Sequence, residues 1–523
     1  MTRRPGIDQS YWMASTAATA YPPLAEDTEV DVAVVGGGIA GICTAWELTR
    51  AGRKVALLEA DRIAASTTGY TTAKVSAQHT LIYARLRESV GVDGARHYAT
   101  SQQDAVDHIE RTADELAIDC DLEWLPAFTY VESDEAVDTI RDEVEAAQQA
   151  GLAASFVTET GLPFGVAGAI RVEGQAQFHP RRYLLALAEA AARRGAAIYE
   201  RTRVVDLDEG EPCRITTEGG NVVAARDVVV ATHYPVFDRA LLFARLVPRR
   251  ELVVAAAIPA ERDPGGMFIS QEEGTRSVRT APFGDGRRLL IVTGETFKPG
   301  APGSGSVGER FERLAAWAHE RFGIDQLAYR WAAQDNHTTD QIPYVGPFHP
   351  GARHVYVATG FGGWGMSNGV MAGRLLAARI LGDDPPWAGL YDPRRLRPVQ
   401  EAGPLLKAQA AVVRHFVRDR LRGSQVDSVD EIKPGTGAVV RIGGERCAVF
   451  RDEQGNLQAV SAAARISAAS CTSTTPSWPG SAPATGPASP STAPSCTAPR
   501  TDRSSVATRA ARSFVERRNP RAL

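Results

Sequence analysis

Cysteine is scarce in this chain, and what there is carries no pattern. Six cysteines (Cys43, Cys120, Cys213, Cys447, Cys471 and Cys496) are scattered through 523 residues. None forms a C-x-x-C pair, which argues against a disulfide framework and against a zinc site; buried small hydrophobes are expected, and no metal ligands. Long apolar runs are missing too. No stretch approaches the ~20 residues needed to cross a bilayer, and Met1-Thr2-Arg3-Arg4-Pro5 does not lead into the apolar segment of a secretory signal. A cytoplasmic protein without a membrane span is expected. Charge of one sign is also lacking: the net charge is −4, with no basic stripe outside the tail. That argues against nucleic acid or an anionic membrane as a partner. At this length the chain holds one large core or two domains, at roughly 150 residues per domain.

Glycine, by contrast, stands where it does something. Val30-Asp31-Val32-Ala33-Val34-Val35 runs into Gly36-Gly37-Gly38-Ile39-Ala40-Gly41, Ile42 to Arg50 has helical spacing with Gly52 beyond it, and Val55-Ala56-Leu57-Leu58 ends at Glu59. This reads as strand, tight turn, helix and second strand. Gly36 permits the turn, Gly38 lets the backbone approach a pyrophosphate, and Gly41 lets helix and strand pack closely. Glu59 stands where a carboxylate would take the ribose hydroxyls. Dinucleotide binding follows from the whole unit rather than from the glycines alone.

Directly downstream, residues 60–74 are small and rich in hydroxyls, with Ala60, Arg62, Thr67, Thr68 and Thr72 leading to Lys74. Small residues let backbone run along a ligand, and hydroxyls can bond its phosphate or ribityl oxygens. Residues 1–29 have little periodicity, although Tyr11-Trp12 could pack an N-terminal arm on the body. Helical spacing recurs at 100–118 and 133–150. His179-Pro180 opens a helix over 181–194 that leads to strand 197–201, to Val204, and to the apolar strand Val228-Val229-Val230, which ends at Ala231-Thr232-His233. Residues 246–296 alternate β-rich runs with turns, as in an antiparallel sheet inserted into an α/β frame. A second glycine pattern at Gly303, Gly305 and Gly308 follows no strand and reads as a loop. Finally, strand 354–358 breaks into Thr359-Gly360-Phe361-Gly362-Gly363-Trp364-Gly365-Met366 ahead of a helix over 367–381.

Taken in order, Gly36 to Gly41 with Glu59, His179-Pro180, Ala231-Thr232, Thr339 to Pro347 and Thr359 to Met366 resemble the glycine oxidase, sarcosine oxidase and D-amino-acid oxidase superfamily over about residues 30–385. The resemblance implies FAD, with adenine and pyrophosphate on the first glycine turn and the isoalloxazine near the last. It implies oxidation of a C–N bond in a small amine or amino acid by hydride transfer to flavin N5, with O2 or an electron-transfer partner as acceptor. The cofactor set expected on it is Gly36, Gly38, Ile39, Ala40, Gly41, Glu59, Ala60, Arg62, Thr67, Thr68, Thr72, Val204, Ala231, Thr232, Gly360, Gly362, Gly363, Trp364, Gly365 and Met366. Independently of it, N–H groups of Gly362 to Gly365 at a helix start would meet the negative charge of a reduced flavin. Lys74, His233 and Trp364 are the catalytic candidates, with His79 and Tyr344 further candidates by position. Any of Arg249, Arg250, Arg276 and Arg279 could clamp a substrate carboxylate.

The tail departs from this. Three short β runs between Val429 and Ser461 look like the start of a Rieske iron-sulfur domain, whose [2Fe–2S] cluster needs two cysteines and two histidines. No histidine follows His415, and residues 462–500 collapse into Ala, Ser, Pro and Thr. Regrouping the codons of residues 463–499 by one nucleotide permits C-T-H, fifteen residues, then C-P-C-H, with Ala464, Ile466, Ala482 and Thr485 donating the fixed bases of the four ligands. A frameshift near Ala462 is expected, leaving 462–523 out of frame. The expected architecture is α/β: an N-terminal arm (1–29), then a Rossmann-like FAD-binding domain (about 30–80, 180–235 and 350–385) interwoven with a mixed β-sheet substrate domain (about 85–175 and 240–345). A linker helix (396–424) and a truncated all-β Rieske-like segment (425–461) follow.

Overall fold

The first strand, Thr28–Val35, is buried on both faces from Val32 to Val35, and such a strand needs a neighbour on each side. In the computed structural model it lies parallel to Val55–Leu58 on one side and to Val222–Val230 on the other. The structure describes residues 7–237, 240, 242–272, 274–299 and 306–395, then 428–432, 436–442, 445–451, 455 and 457–461. The chain divides into two compact units, residues 1–409 and 410–523.

The first unit is built on two sheets. One has eight strands, and its main order is Val204–Asp208, Cys213–Thr217, Val222–Val230, Thr28–Val35, Val55–Leu58, Ala197–Tyr199. Val355–Thr359 joins the far half of Val222–Val230 in parallel, and Tyr344–Pro347 lies beyond it. The other eight-stranded sheet runs Tyr329–Thr338, Leu246–Pro259, Arg287–Phe297, Ser277–Pro282, Met267–Ser270, Ala127–Val131, Gly168–Val172, Ala154–Val157. It is antiparallel except where Met267–Ser270 meets Ala127–Val131. Each sheet is therefore drawn from several separated stretches of chain.

Alternation along the second sheet decides what faces the first. Leu252, Val254, Ala256 and Val292 pack with Leu314 and Phe322 of the helix Val307–Phe322, which begins with a capping box of Ser306 and Glu309. Val253, Ala255, Ile291 and Trp331, one residue out of phase, belong instead to the core around the helix Ile39–Arg50. The expected helix over 100–118 is the second part of a longer one, Tyr83–Glu115, broken at Gly91 where φ is 75°. Glycine alone meets that backbone cheaply. The helix expected over 133–150 runs Val137–Gln149 after a 3-10 turn.

Tyr344 is fully buried between two guanidinium groups, Arg245 at 4.2 Å and Arg395 at 4.3 Å from its ring centre. Arg395 also pairs with Asp340 at 2.8 Å, and Arg245 donates to the carbonyls of Pro393 and Arg395. Tyr344 thus anchors the end of the unit.

Residues 7–24 are integral. Ser10 caps the short helix Tyr11–Ala14, and Trp12 is completely buried. Buried Arg181 donates to Thr16, Ala17 and Ala64, so the arm and the segment after Glu59 share one anchor. In the second unit Thr436–Ile442, Glu445–Arg451 and Leu457–Ser461 form an antiparallel three-stranded sheet, with Val440 and Val449 packed on Ile432. The expected linker helix 396–424, the glycine loop at 303–305 and the tail 462–523 lie outside the described residues.

Candidate active site

The first glycine turn is closed by contacts only glycine allows. A Cβ on Gly36, whose φ is 110°, would lie 2.5 Å from the Ala231 carbonyl oxygen, and one on Gly41 would lie 1.9 Å from that of Gly36. Gly38, at the N-cap of the Ile39–Arg50 helix, is open by comparison: its nearest neighbour would be Thr68 Oγ1 at 3.3 Å. That hydroxyl accepts from Ile39 N at 3.2 Å. Glu59 accepts from Gly37 N at 2.7 Å and from Asp61 N. Burial raises the Glu59 pKa, and those two backbone donors oppose the rise. Thr202 N donates to the Glu59 carbonyl two residues before Val204, so the chain entering Val204–Asp208 passes beside the acid. Ala60 is half-buried, Arg62 exposed, and Thr67 and Thr68 form the 3-10 turn Thr67–Tyr70.

The last glycine turn belongs to the same place. Its helix, Gly365–Leu381, packs on Ile39–Arg50 through two glycines, since a Cβ on Gly369 would lie 2.5 Å from Ile39 Cγ2 and one on Gly373 2.6 Å from Cys43 Cβ. Pairing 39 with 369 and 43 with 373 makes the two helices parallel, with their N-termini side by side. Two positive helix ends pointing the same way favour anionic groups in front of them.

Not every N–H expected in that turn is free. Gly362 N donates to the Asn336 carbonyl, Gly363 N to Asp335 Oδ2 at 2.5 Å, and Trp364 N to the Phe361 carbonyl. Asn368 N makes the first intrahelical bond, to Trp364, which leaves Gly365, Met366 and Ser367 as the leading donors. Gly360 holds a φ of 78°, and a Cβ there would meet Thr338 at 2.3 Å.

Around the turn sit buried polar atoms without a hydrogen-bond partner among the described residues: His233 Nε2, Asn336 Oδ1 and Thr338 Oγ1. Such atoms carry a desolvation cost of about 1–3 kcal/mol each unless something answers them. His233 has a φ of 64°, and its carbonyl accepts from Thr359 Oγ1 and Asn336 Nδ2, while its Nδ1 lies 3.8 Å from Asp335. The Trp364 ring stacks on His79 at 4.7 Å. Burial pushes His79 down to about 3, so it is neutral; its Nε2–H donates to the Ser76 carbonyl and its Nδ1 accepts from Tyr98. His79 is a bonded core group. Tyr344 is held in the arginine sandwich.

Lys74 lies on a strand that packs against the Gly365–Leu381 helix, which follows the last glycine turn. Its two-residue strand pairs with Gln177, and its Nζ bonds Ser277 Oγ. Burial, then the charge of Arg279, push its pKa down to about 7 against the pull of Glu251. Burial raises Glu251 in turn. Lys74 and Glu251 are both half-buried. Sheet register explains the grouping. Ser277 pairs with Thr293, Thr293 with Val253, and Arg249 with Asp335, so Glu251 and Arg249 project from the face that carries Ser277 and Asp335. Opposite Glu251 the neighbouring strand bulges, its pairing jumping from Leu252–Gly294 to Arg250–Phe297, while the register of the Glu251 strand with Tyr329–Thr338 runs on unbroken.

The four arginines separate. Arg279 is buried and donates to the carbonyls of Thr72, Ala73 and Thr280. Arg276 is paired with Glu295, and Arg250 donates to Gln334 on the opposite face. Of the four, Arg249 alone is exposed, on the face that carries Glu251 and Asp335. Glu251, Asp335 and Ser277 were not legible in the sequence, because sheet register brings them to one face.

The chain matches the model of the FAD dependent oxidoreductase family over residues 31–379. The chain belongs to that family. As a member it is similar, at 34% identity over 86% of this chain and 88% of the relative, to the putative Rieske 2Fe-2S iron-sulfur protein YhfW of Bacillus subtilis. It is 26% identical to the gamma-glutamylputrescine oxidoreductase of Escherichia coli over 72% of this chain and 89% of the relative. Among solved structures, glycine oxidase from Geobacillus kaustophilus superposes with a TM-score of 0.59 at 21% identity, covering 71% of this chain and 99% of that one. FAD is the family's cofactor, and two parallel helix ends, an open Gly38 and orphaned polar atoms at the last turn fit it. No helix among the described residues is long and apolar enough to cross a membrane, and no cluster of three metal-binding side chains occurs among them.

Proposed function

We propose that this FAD-dependent oxidoreductase oxidises the C–N bond of a small amine or amino acid to an imine. The observation that carries the reading is the setting of Lys74: its strand packs against the Gly365–Leu381 helix, its amine bonds Ser277 Oγ, and burial pushes its pKa down to about 7. FAD supplies a two-electron acceptor for the hydrogen that leaves carbon. The residues must deliver a substrate whose nitrogen can give up a proton as the carbon–nitrogen double bond forms. Neutral Lys74 takes that proton, Ser277 holds Nζ in place, and Glu251 attracts the cationic form of the substrate toward it. Arg249 is the guanidinium available for a substrate carboxylate. The relatives' names point the same way: one is a gamma-glutamylputrescine oxidoreductase, another a glycine oxidase.

The test is the visible spectrum of the purified chain under anaerobic conditions, before and after glycine, sarcosine, D-alanine, L-proline and putrescine. Bleaching of the flavin band by any one supports amine oxidation. A flavin band that none of them bleaches counts against it and favours a flavin-binding protein without turnover. Return of the band within seconds of admitting air marks an oxidase, and a slow return marks a dehydrogenase that passes electrons elsewhere.

We also propose that the gene's reading frame shifts near Ala462 and that the in-frame continuation encodes a Rieske module. The similarity to a protein named for that cluster supports it, as do the four ligand codons of the regrouped frame. This chain does not fit a [2Fe–2S] cluster, because no histidine follows His415. No step is routed through one. Nucleotide sequencing decides: bases that forbid C-T-H at residues 464–466 end the idea.

A further inference from the structure

Between the cofactor turn and Lys74, five consecutive backbone carbonyls each accept a hydrogen bond from a side chain far away in sequence. Gly69 O accepts from Ser10 Oγ at 2.5 Å, Tyr70 O from Trp331 Nε1 at 2.9 Å, and Thr71 O from Trp12 Nε1 at 2.7 Å. Arg279 Nη1 then bonds Thr72 O at 3.1 Å and Ala73 O at 2.6 Å. All four donor residues are buried: Ser10 and Trp12 are 0% exposed, Arg279 1% and Trp331 4%. The guanidinium of Arg279 also lies 5.3 Å over the Trp12 ring, which couples the two. Loops usually satisfy their carbonyls with water. Here water is replaced by rigid donors from the N-terminal arm and from two strands of the second sheet.

The last held carbonyl belongs to Ala73, whose φ of 59° is uncommon for a residue with a Cβ. A backbone kept in that region must be over-determined by its surroundings. Arg279 provides this, and the next residue is Lys74. Two positions before Arg279 on the same strand, and on the same face, Ser277 bonds Lys74 Nζ. One strand therefore grips Lys74 at its backbone root through Arg279 and at its head through Ser277.

We propose that Arg279 and Trp12 are positioning residues for Lys74: the row of held carbonyls fixes the direction in which that side chain leaves the backbone toward Ser277. The proposal rests on the reading of Lys74 as the proton acceptor. It gives the N-terminal arm a part in the chemistry without contact to the reacting atoms. The charged groups facing Lys74 are Arg279 from the Ser277–Pro282 strand and Glu251 from Leu246–Pro259; Gln177, its partner on the third side, carries no charge.

The test reads Lys74 directly. Trace acetic anhydride, added to the FAD-loaded full chain across pH 5.5–10, labels each lysine according to its neutral fraction and access, and mass spectrometry of the Lys74 peptide reports both. Trp12→Phe keeps the Arg279 charge and frees Thr71 O; Arg279→Lys keeps a charge and loses the fork. Both are expected to leave the labelling midpoint of Lys74 within half a pH unit of wild type and to change its plateau labelling at least threefold. Arg279→Gln, which removes the charge, is expected to move the midpoint upward. Flavin absorbance and melting temperature establish that each variant is folded, and Ser277→Ala, which releases only the head, replaces any that is not. Plateau labelling within twofold of wild type in the variants overturns the positioning role. Separately, Lys74→Met that reduces flavin with the wild-type pH profile, using whichever amine of the panel bleaches it, overturns Lys74 as acceptor and leaves the labelling result standing as a fact of structure only.

Discussion

Ile39, the first residue of one helix, packs so closely on Gly369 of another that a Cβ at 369 would come within 2.5 Å of its Cγ2. That contact brings two helix N-termini together, and with them the two halves of the cofactor site. Gly369→Val should force the helices apart, costing about 1–3 kcal/mol by overpacking and lowering FAD content. Thermal unfolding and the ratio of visible to ultraviolet absorbance check both effects.

Asp335 holds the last glycine turn through Gly363 N at 2.5 Å, from a strand of the other sheet. Asp335→Asn keeps an acceptor there, whereas Asp335→Ala leaves the N–H bare. The alanine variant should lose about 1–2 kcal/mol of stability and bind FAD more weakly, with the asparagine variant close to wild type. Urea unfolding and a flavin fluorescence titration measure the difference.

His79 and His179 are both buried and neutral, pushed by burial to about 3. An unfolded histidine takes up a proton near pH 6.5, whereas these two stay neutral until about pH 3. The unfolded state thus binds more protons in that window, and stability falls as the pH drops from 6.5 toward 3, by up to roughly 1.4 kcal/mol per pH unit for each group. Urea midpoints at pH 7, 5.5 and 4.5 should decline steadily. His179→Asn, which can still cap the helix at Pro180, should flatten the slope.

Lys74 leads to a different pH dependence. Its amine is protonated below about 7 and neutral above, so flavin reduction at low substrate should climb as the pH rises through that value. Lys74→Met should remove the limb and slow reduction about 10²–10⁴-fold, the usual worth of a general base. Stopped-flow absorbance with an amine that bleaches the flavin reads both.

The two glycine turns and Glu59 were legible because each function there demands a residue type at a fixed spacing: a Cβ at Gly36 or Gly41 has no room, and no other sequence pattern says so. The arginines were not. Arg279 has the right chemistry for a carboxylate, but its fork is filled by Thr72 O and Ala73 O, a matter of three dimensions only. Gly362 and Gly363 sit in the expected turn, yet their N–H groups go to Asn336 and Asp335, residues with no local mark in sequence. Glu251 shares a face with Ser277 and Asp335 only through the register of strands far apart in sequence. Trp12, expected to pack the N-terminal arm on the body, does so as a fully buried member of the core.

The carbonyl row sets a timetable for the chain as it is made. Two of its donors, Ser10 and Trp12, emerge from the ribosome before the loop they hold, but Arg279 and Trp331 emerge roughly 200 and 260 residues after it. The segment that carries Lys74 cannot be completed until well over half the protein has been synthesised. Contacts of such sequence separation form late and slowly. Nascent chains released shortly before residue 331 should therefore show the first helix and strands of the glycine unit yet retain no flavin, and the cofactor should enter a body already nearly whole.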